Sequence, residues 1–292
     1  MADSTGMADL RAENVSRIVT GFALANYKFK QAVMISSSNS WKESYYQETK
    51  TELTGGLGSA VKGIPRLANF PYLEPTWTKK QSWLIKHGGE GVISYEDEKT
   101  NAIDVIARTL LRIARAITYS VDLEIYQALS ENDTPTNINT LALTAGYEWD
   151  SATIANRDPI QDFLNARKEL KIDNYGFGGE EILIYLSPKD YANVMGNSAV
   201  RSNAQIYTSE VGRNGVVGKI PGIGTLIESN NVTADKCLMC IKGICGTWKA
   251  AVPLTVVTID DPGVKKTIRG WEIGVTQLTN PEAVCLITNT QA

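Results

Sequence analysis

The chain has 292 residues, enough for one large domain or two modest ones, and its 43% hydrophobic and 21% charged residues are the balance of a folded globular protein. A formal net charge of -3 leaves no broad basic footprint, so contact with nucleic acid would have to come from a local patch or from simply enclosing it. The start, MADSTGMADL, has no basic segment followed by an apolar run, and the best apolar stretches fall short of the roughly 18 residues of a membrane span. The expectation is a soluble protein made inside a cell, with no membrane partner.

Residues 1–41 read as an arm. Leu10, Val15, Ile18, Val19 and Phe22 recur at helical spacing. A Ser/Asn cluster, Ser36 to Ser40, then signals a loop.

Residues 42–97 read as an extended loop, a β-hairpin. Two strand-like flanks, Lys42–Leu53 and Trp77–Tyr95, enclose a middle holding Gly55, Gly56, Gly58, Gly63, Pro65, Pro71 and Pro75. No useful helix survives that spacing. The segment nevertheless carries Tyr45, Tyr46, Phe70, Tyr72, Trp77 and Trp83. Burying one large apolar side chain stabilises by roughly 1.5–3 kcal/mol, and a two-stranded ribbon has no interior in which to place six of them. Those six are expected at a subunit interface. Arms of twenty-odd residues would project roughly 60–70 Å.

The longest helix is expected from Asn101 to about Ser130. Asn101 can cap it, and Ile103, Ile106, Leu110, Ile113, Ile117 and Val121 form one apolar stripe. Arg108, Arg112 and Arg115 fall on nearly the opposite face. This face has three readings: solvated, with local ion pairs to Asp104 and Asp122; paired with carboxylates of another subunit; or touching packaged nucleic acid. A second helix is expected over 158–171. Further on come a buried strand over 181–186, a short helix over 189–195 capped by Ser187-Pro188, and a polar loop over 202–218. Strands follow at 224–228, 236–241, 247–257, 266–275 and 283–288.

Catalytic chemistry finds little footing. His87 is the only histidine, and Lys86-His87-Gly88-Gly89 reads as a turn in the ribbon, far from the core. The run from Gly212 to Gly218-Lys219 is one residue too long for a phosphate-binding loop, with Ile220 where a hydroxyl would meet magnesium. Gly56-Leu57-Gly58 lacks the third glycine of a dinucleotide fingerprint. The pairs Asp260-Asp261 and Glu180-Glu181 read as solvated turns, because neighbours on a strand point to opposite faces. Cys237 and Cys240 have the spacing of half a zinc site, but the four cysteines lie largely in apolar runs and read as buried thiols. No enzyme activity, metal or cofactor is expected.

The order of elements resembles the major capsid proteins of tailed phages, the Hong Kong 97 fold. Glu90-Gly-Val-Ile-Ser-Tyr-Glu-Asp97 leading into Ile103–Leu129 is similar to that family's extended loop and spine helix. Ile182 to Tyr191 resembles the strand, proline and short helix that open its axial domain, and Ile220 to Ser229 the segment that follows. Gly270-Trp-Glu-Ile-Gly-Val-Thr276 and Asn280-Pro-Glu-Ala283 look like its closing strands. The resemblance implies an α+β fold: arm 1–41, extended loop 42–97, peripheral domain with spine helix 98–180, axial domain 181–255, and a return to the peripheral domain over 256–292. It implies self-assembly through pentamers and hexamers into an icosahedral or prolate shell around double-stranded DNA. Scaffolding, portal and decoration proteins are the further partners it implies. Location would be the virion, after assembly in the host cytoplasm. An encapsulin-type nanocompartment enclosing a cargo enzyme is the alternative that the same layout allows. The sequence departs from the family in carrying Asn280 where an arginine often precedes the last proline. Some relatives carry a long N-terminal segment as a built-in scaffold, whereas this sequence starts almost directly at the arm, so the expectation is a separate scaffolding protein, a removed propeptide, or neither. Lys62 lies near the loop tip, but Val252–Gly263 holds no asparagine, so the crosslinking chemistry of one relative is not expected here.

Overall fold

The apolar stripe expected on the long helix is buried. Leu110, Ile113, Ile117, Val121 and Ile125 all face the core from α2 (Val105–Leu129), which follows a short α1 (Tyr95–Thr100). This is seen in a computed structural model, which describes residues 19, 27–49, 63–70, 77–100, 105–172, 181–198, 200, 219–220 and 222–292. The expected helix start at Asn101, and the side chains of Ile103 and Ile106, lie outside the described residues. Helix α2 ends because Glu131, Asn132 and Asp133 all adopt left-handed backbone (φ 51, 55 and 60°), which side-chain-bearing residues enter only at a cost. The Glu131 carboxylate offsets that cost by accepting the amides of Thr136 and Asn137.

Twelve strands are described: β1 (Met34–Ser37), β2 (Lys42–Glu48), β3 (Trp77–Trp83), β4 (Ile85–Ser94), β5 (Asn139–Ala142), β6 (Ile182–Leu186), β7 (Lys219–Ile220), β8 (Gly224–Glu228), β9 (Lys236–Ile241), β10 (Gly246–Asp261), β11 (Lys265–Leu278) and β12 (Val284–Thr288). Helices α3 (Pro159–Ile172) and α4 (Pro188–Gly196) complete the set. Ser187 caps α4 as expected, its hydroxyl accepting the Asp190 amide.

One sheet has the order β1-β10-β11-β4 and lies across α2; the other has the order β5-β12-β9-β6-β8-β7. Strands β6, β9 and β12 are covered on both faces, with every residue of β6 buried, which is why they read as unbroken apolar runs. Residues 284–288 lie between 139–142 and β9 inside this second sheet, parallel to the first and antiparallel to the second. The four cysteines are free and buried.

Two expectations for the extended loop change. Among the described residues the ribbon consists of β2 and β3, seven residues a side from Lys42↔Trp83 to Glu48↔Trp77, or about 23 Å of paired strand at 3.3 Å per residue. Residues 85–94 leave it and pair with β11 from Ile85↔Gly274 to Ser94↔Lys265. His87 therefore sits in a strand, buried against the core, with its Nδ1 2.8 Å from the Ser120 hydroxyl on α2. Burial pushes its pKa down. Lys86-His87-Gly88-Gly89 looked like a turn because glycines mark turns. In the strand Gly88 and the nearby Gly91 serve close packing instead: a Cβ on Gly88 would crowd the Gly270 carbonyl (3.0 Å), and one on Gly91 would overlap the Thr109 methyl of α2.

Candidate subunit-contact surface

The β2–β3 ribbon has two unlike faces, because side chains alternate along each strand. Glu43, Tyr45 and Gln47 point towards the body: Gln47 is buried, Tyr45 is half-buried, and the Ser38 hydroxyl donates to Glu43. Tyr46, Trp77 and Trp83 share the other face, 58, 56 and 64% exposed. Tyr46 and Trp77 touch, with ring centroids 6.0 Å apart. Lys42 Nζ lies 5.1 Å from the centre of the Trp83 ring, a cation over an aromatic face. Trp41, just ahead of β2, is also exposed. Its place directly after a Ser/Asn loop hides it in the sequence pattern.

Of the nine interface residues expected, the ribbon thus brings Tyr46, Trp77 and Trp83 together. Tyr45 is turned inward, and burial raises its pKa. Phe70 is exposed at the end of the described segment 63–70, and Tyr72 lies outside the described residues. Arg108, Arg112 and Arg115 are exposed on α2 as expected. Asp122 is not their partner. It is buried on the opposite side, accepting the backbone amides of Lys28 (2.9 Å) and Phe29 (3.2 Å).

That contact belongs to a buried polar cluster with no signal in the sequence. Segment 27–33 lies between the two sheets. Phe29 stacks on Tyr185 of β6 at 4.1 Å and meets Tyr126 of α2 edge-on at 5.7 Å. Tyr27 donates to Glu272 of β11 (2.7 Å), and the Lys30 ammonium pairs with the same carboxylate (2.5 Å). Burial pushes the Tyr27 pKa up and the Lys30 pKa down, Glu272 partly opposing the latter. These groups hold a chain segment rather than present one to a ligand. Among the described residues, no group of acidic, cysteine or histidine side chains could hold a metal, and no helix is long and apolar enough to cross a membrane.

A mixed α+β subunit with a spine helix under one sheet, a buried second sheet and an aromatic ribbon has the Hong Kong 97-like architecture of shell-forming proteins. The chain belongs to the phage capsid protein family, whose model matches residues 84–287, and it is a major capsid shell protein. Solved structures agree in fold. The capsid protein of cyanophage P-SCSP1u superposes with a TM-score of 0.66 at 12% identity, covering 99% of this chain and 92% of that one. Mycobacterium phage Che8 gives 0.58 at 15% identity, covering 100% and 97%. A virus-like particle from Pyrococcus furiosus gives 0.63 at 10% identity, covering 94% and 98%. A comparison with curated protein sequences finds no significant match.

Proposed function

We propose that this chain assembles through pentamers and hexamers into the closed shell that encloses the double-stranded DNA of a tailed phage, with its extended loop lying over a neighbouring subunit. The observation that carries the loop's role is the outward face of the ribbon. Tyr46, Trp77 and Trp83 stay more than half exposed in the single chain, and a second subunit would remove that area from water at about 25 cal/mol per Å². The four-stranded sheet with α2 is read as the peripheral part and the six-stranded sheet as the axial part, with the sequence 202–218 contributing to contacts around the symmetry axes. Packaged DNA is enclosed without sequence recognition, in keeping with the net charge of -3. The role is structural rather than catalytic, and assembly takes place in the host cytoplasm, with scaffolding, portal and decoration proteins as further partners.

Deletion of residues 55–75 tests this. The shortened subunit is expected to stay folded by circular dichroism and to form no particles by electron microscopy. Intact shells from that variant would show that the loop is not the assembly element. Particles containing a protein cargo instead of DNA would favour the nanocompartment reading.

A further inference from the structure

Strand β4 is an edge strand of ten residues. Natural edges of that length are usually blunted by proline, charge or bulges. Here the middle of the edge is bared instead, because Gly88, Gly89 and Gly91 occupy three of four consecutive positions. The backbone there is flanked by an open well on each face of the sheet. The outer well, of about 320 Å³, has Gly88, Gly89 and Gly270 as its floor, with Lys86, Trp271, Glu90 and Arg269 around it. Its walls are fixed by two contacts: Lys86 Nζ stands 5.8 Å from the Trp271 ring centre, and Arg269 pairs with Glu90 at 2.7 Å. The inner well, of about 370 Å³, lies between Gly89–Val92 and α2, lined by Thr109, Arg112, Ile113 and Ala116.

A bare backbone edge with a well above and a well below matches what an added strand needs. Main-chain hydrogen bonds supply affinity, and successive side chains drop alternately into the two wells. The chain carries a segment of that pattern. In Gly63-Ile-Pro-Arg-Leu-Ala-Asn-Phe70, Leu67 and Phe70 are three positions apart, so in extended conformation they point to opposite faces, and both are almost fully exposed in the single chain. Leu67 is also held at φ 67° in a turn closed by the Ala68 amide on the Pro65 carbonyl (3.1 Å). A leucine in left-handed backbone is strained, and straightening the segment into a strand would relieve it.

We propose that the β4 edge of one subunit receives residues 66–70 of a second copy as an added strand, with Leu67 and Phe70 in the outer and inner wells. This rests on the reading that the extended loop lies over a neighbouring subunit, and it says where and how that loop docks. It also gives Arg112 a place at the rim of the inner well.

Gly89 provides the test. A Cβ built there meets nothing within 4 Å, so Gly89→Val places its first side-chain carbon in open space and its methyls towards the inner well. The variant subunit is expected to keep its far-ultraviolet spectrum and melting temperature while its particle yield falls at least tenfold. In parallel, subunits carrying Gly89→Cys are mixed under oxidising conditions with subunits carrying Arg66→Cys, Leu67→Cys, Ala68→Cys, Asn69→Cys or Phe70→Cys. Crosslinks between chains should alternate with a period of two along 66–70. If Gly89→Val assembles at the wild-type yield, or if crosslinks form only within one chain, the inference is wrong. If deletion of residues 63–70 abolishes shells while Gly89→Val assembles normally, the loop docks elsewhere and only this inference falls. If that deletion leaves shells intact, the reading beneath it falls as well.

Discussion

Asp122 and Phe29 are 93 residues apart in sequence, yet the Asp122 carboxylate accepts the Phe29 backbone N–H at 3.2 Å, and the Lys28 N–H joins it at 2.9 Å. Two amides at the start of a short 3-10 turn are thereby satisfied from a neighbouring helix. The turn's own preceding residue supplies no side-chain cap. With Phe29 wedged between Tyr126 and Tyr185, segment 27–33 acts as a clasp between α2 and both sheets.

The clasp has a pH signature. Burial raises the Asp122 carboxyl from 3.8 to about 6, although the two amides and the nearby Lys28 and Lys30 oppose the change. The folded form thus holds a proton between about pH 4 and pH 6 that the unfolded form has released. This group's contribution is full below pH 4 and is lost as the pH rises to 6, a change of about 3 kcal/mol. Asp122→Asn lacks this titration. Urea unfolding of both proteins from pH 4 to pH 7 should show the variant gaining on the wild type by about that amount. Parallel profiles would rule the mechanism out.

The Lys30–Glu272 pair is buried, with side chains only 13 and 3% exposed. Breaking such a pair leaves an uncompensated charge and costs about 3–5 kcal/mol, whereas replacing both partners by apolar groups can be nearly neutral. Glu272→Gln should lower stability at pH 7 by about 3 kcal/mol, and adding Lys30→Met should recover more than half of it. Equal losses in the single and double variants, measured by denaturant unfolding, would mean that Glu272 acts through Tyr27 alone.

What could be read from the sequence was what repeats locally. The α2 stripe has a period of three to four, β6 is five apolar residues in a row, and Ser187-Pro188 is a complete helix start within two residues. All three lie in the structure where the pattern placed them. Gly88 was read as part of a turn because a glycine needed for a turn and a glycine needed for close packing look identical. The deciding neighbours, Gly270 and Trp271, come from another part of the chain. Asp122 was offered, in one of three readings of the arginine face, as a partner of nearby arginines. Its partners are backbone amides of residues 28 and 29, and a backbone amide has no letter in the sequence.

Gly274 is a packing constraint of the same kind. Paired with Ala250 of β10 and Ile85 of β4, it lies under the buried indole of Trp248, and a Cβ there would overlap that ring and crowd the Lys249 carbonyl (2.8 Å). The ring is fully buried, so it has little room to move. Gly274→Ala should cost about 2 kcal/mol or more through overpacking, seen as a fall in melting temperature or as insoluble protein. A variant as stable as the wild type would mean that the Trp248 ring yields.

Two surfaces compete as the main contact between subunits, the aromatic ribbon and the arginine face of α2, and salt separates them. Changing Tyr46, Trp77 and Trp83 to Thr removes apolar groups that are already more than half exposed. Threonine keeps the strand propensity, so each change should shift subunit stability by no more than about 0.5 kcal/mol. Burial of apolar area is not weakened by salt, whereas exposed ion pairs are, the screening length falling from about 10 Å at 0.1 M to about 3 Å at 1 M. If the ribbon carries assembly, wild-type particles persist across that range and the triple variant sediments as free, folded subunits. If Arg108, Arg112 and Arg115 carry it, particles dissociate as salt rises, and changing the three arginines to Gln abolishes them while the ribbon variant still assembles. Sedimentation velocity on the wild type and both variants at low and high salt decides between the two surfaces.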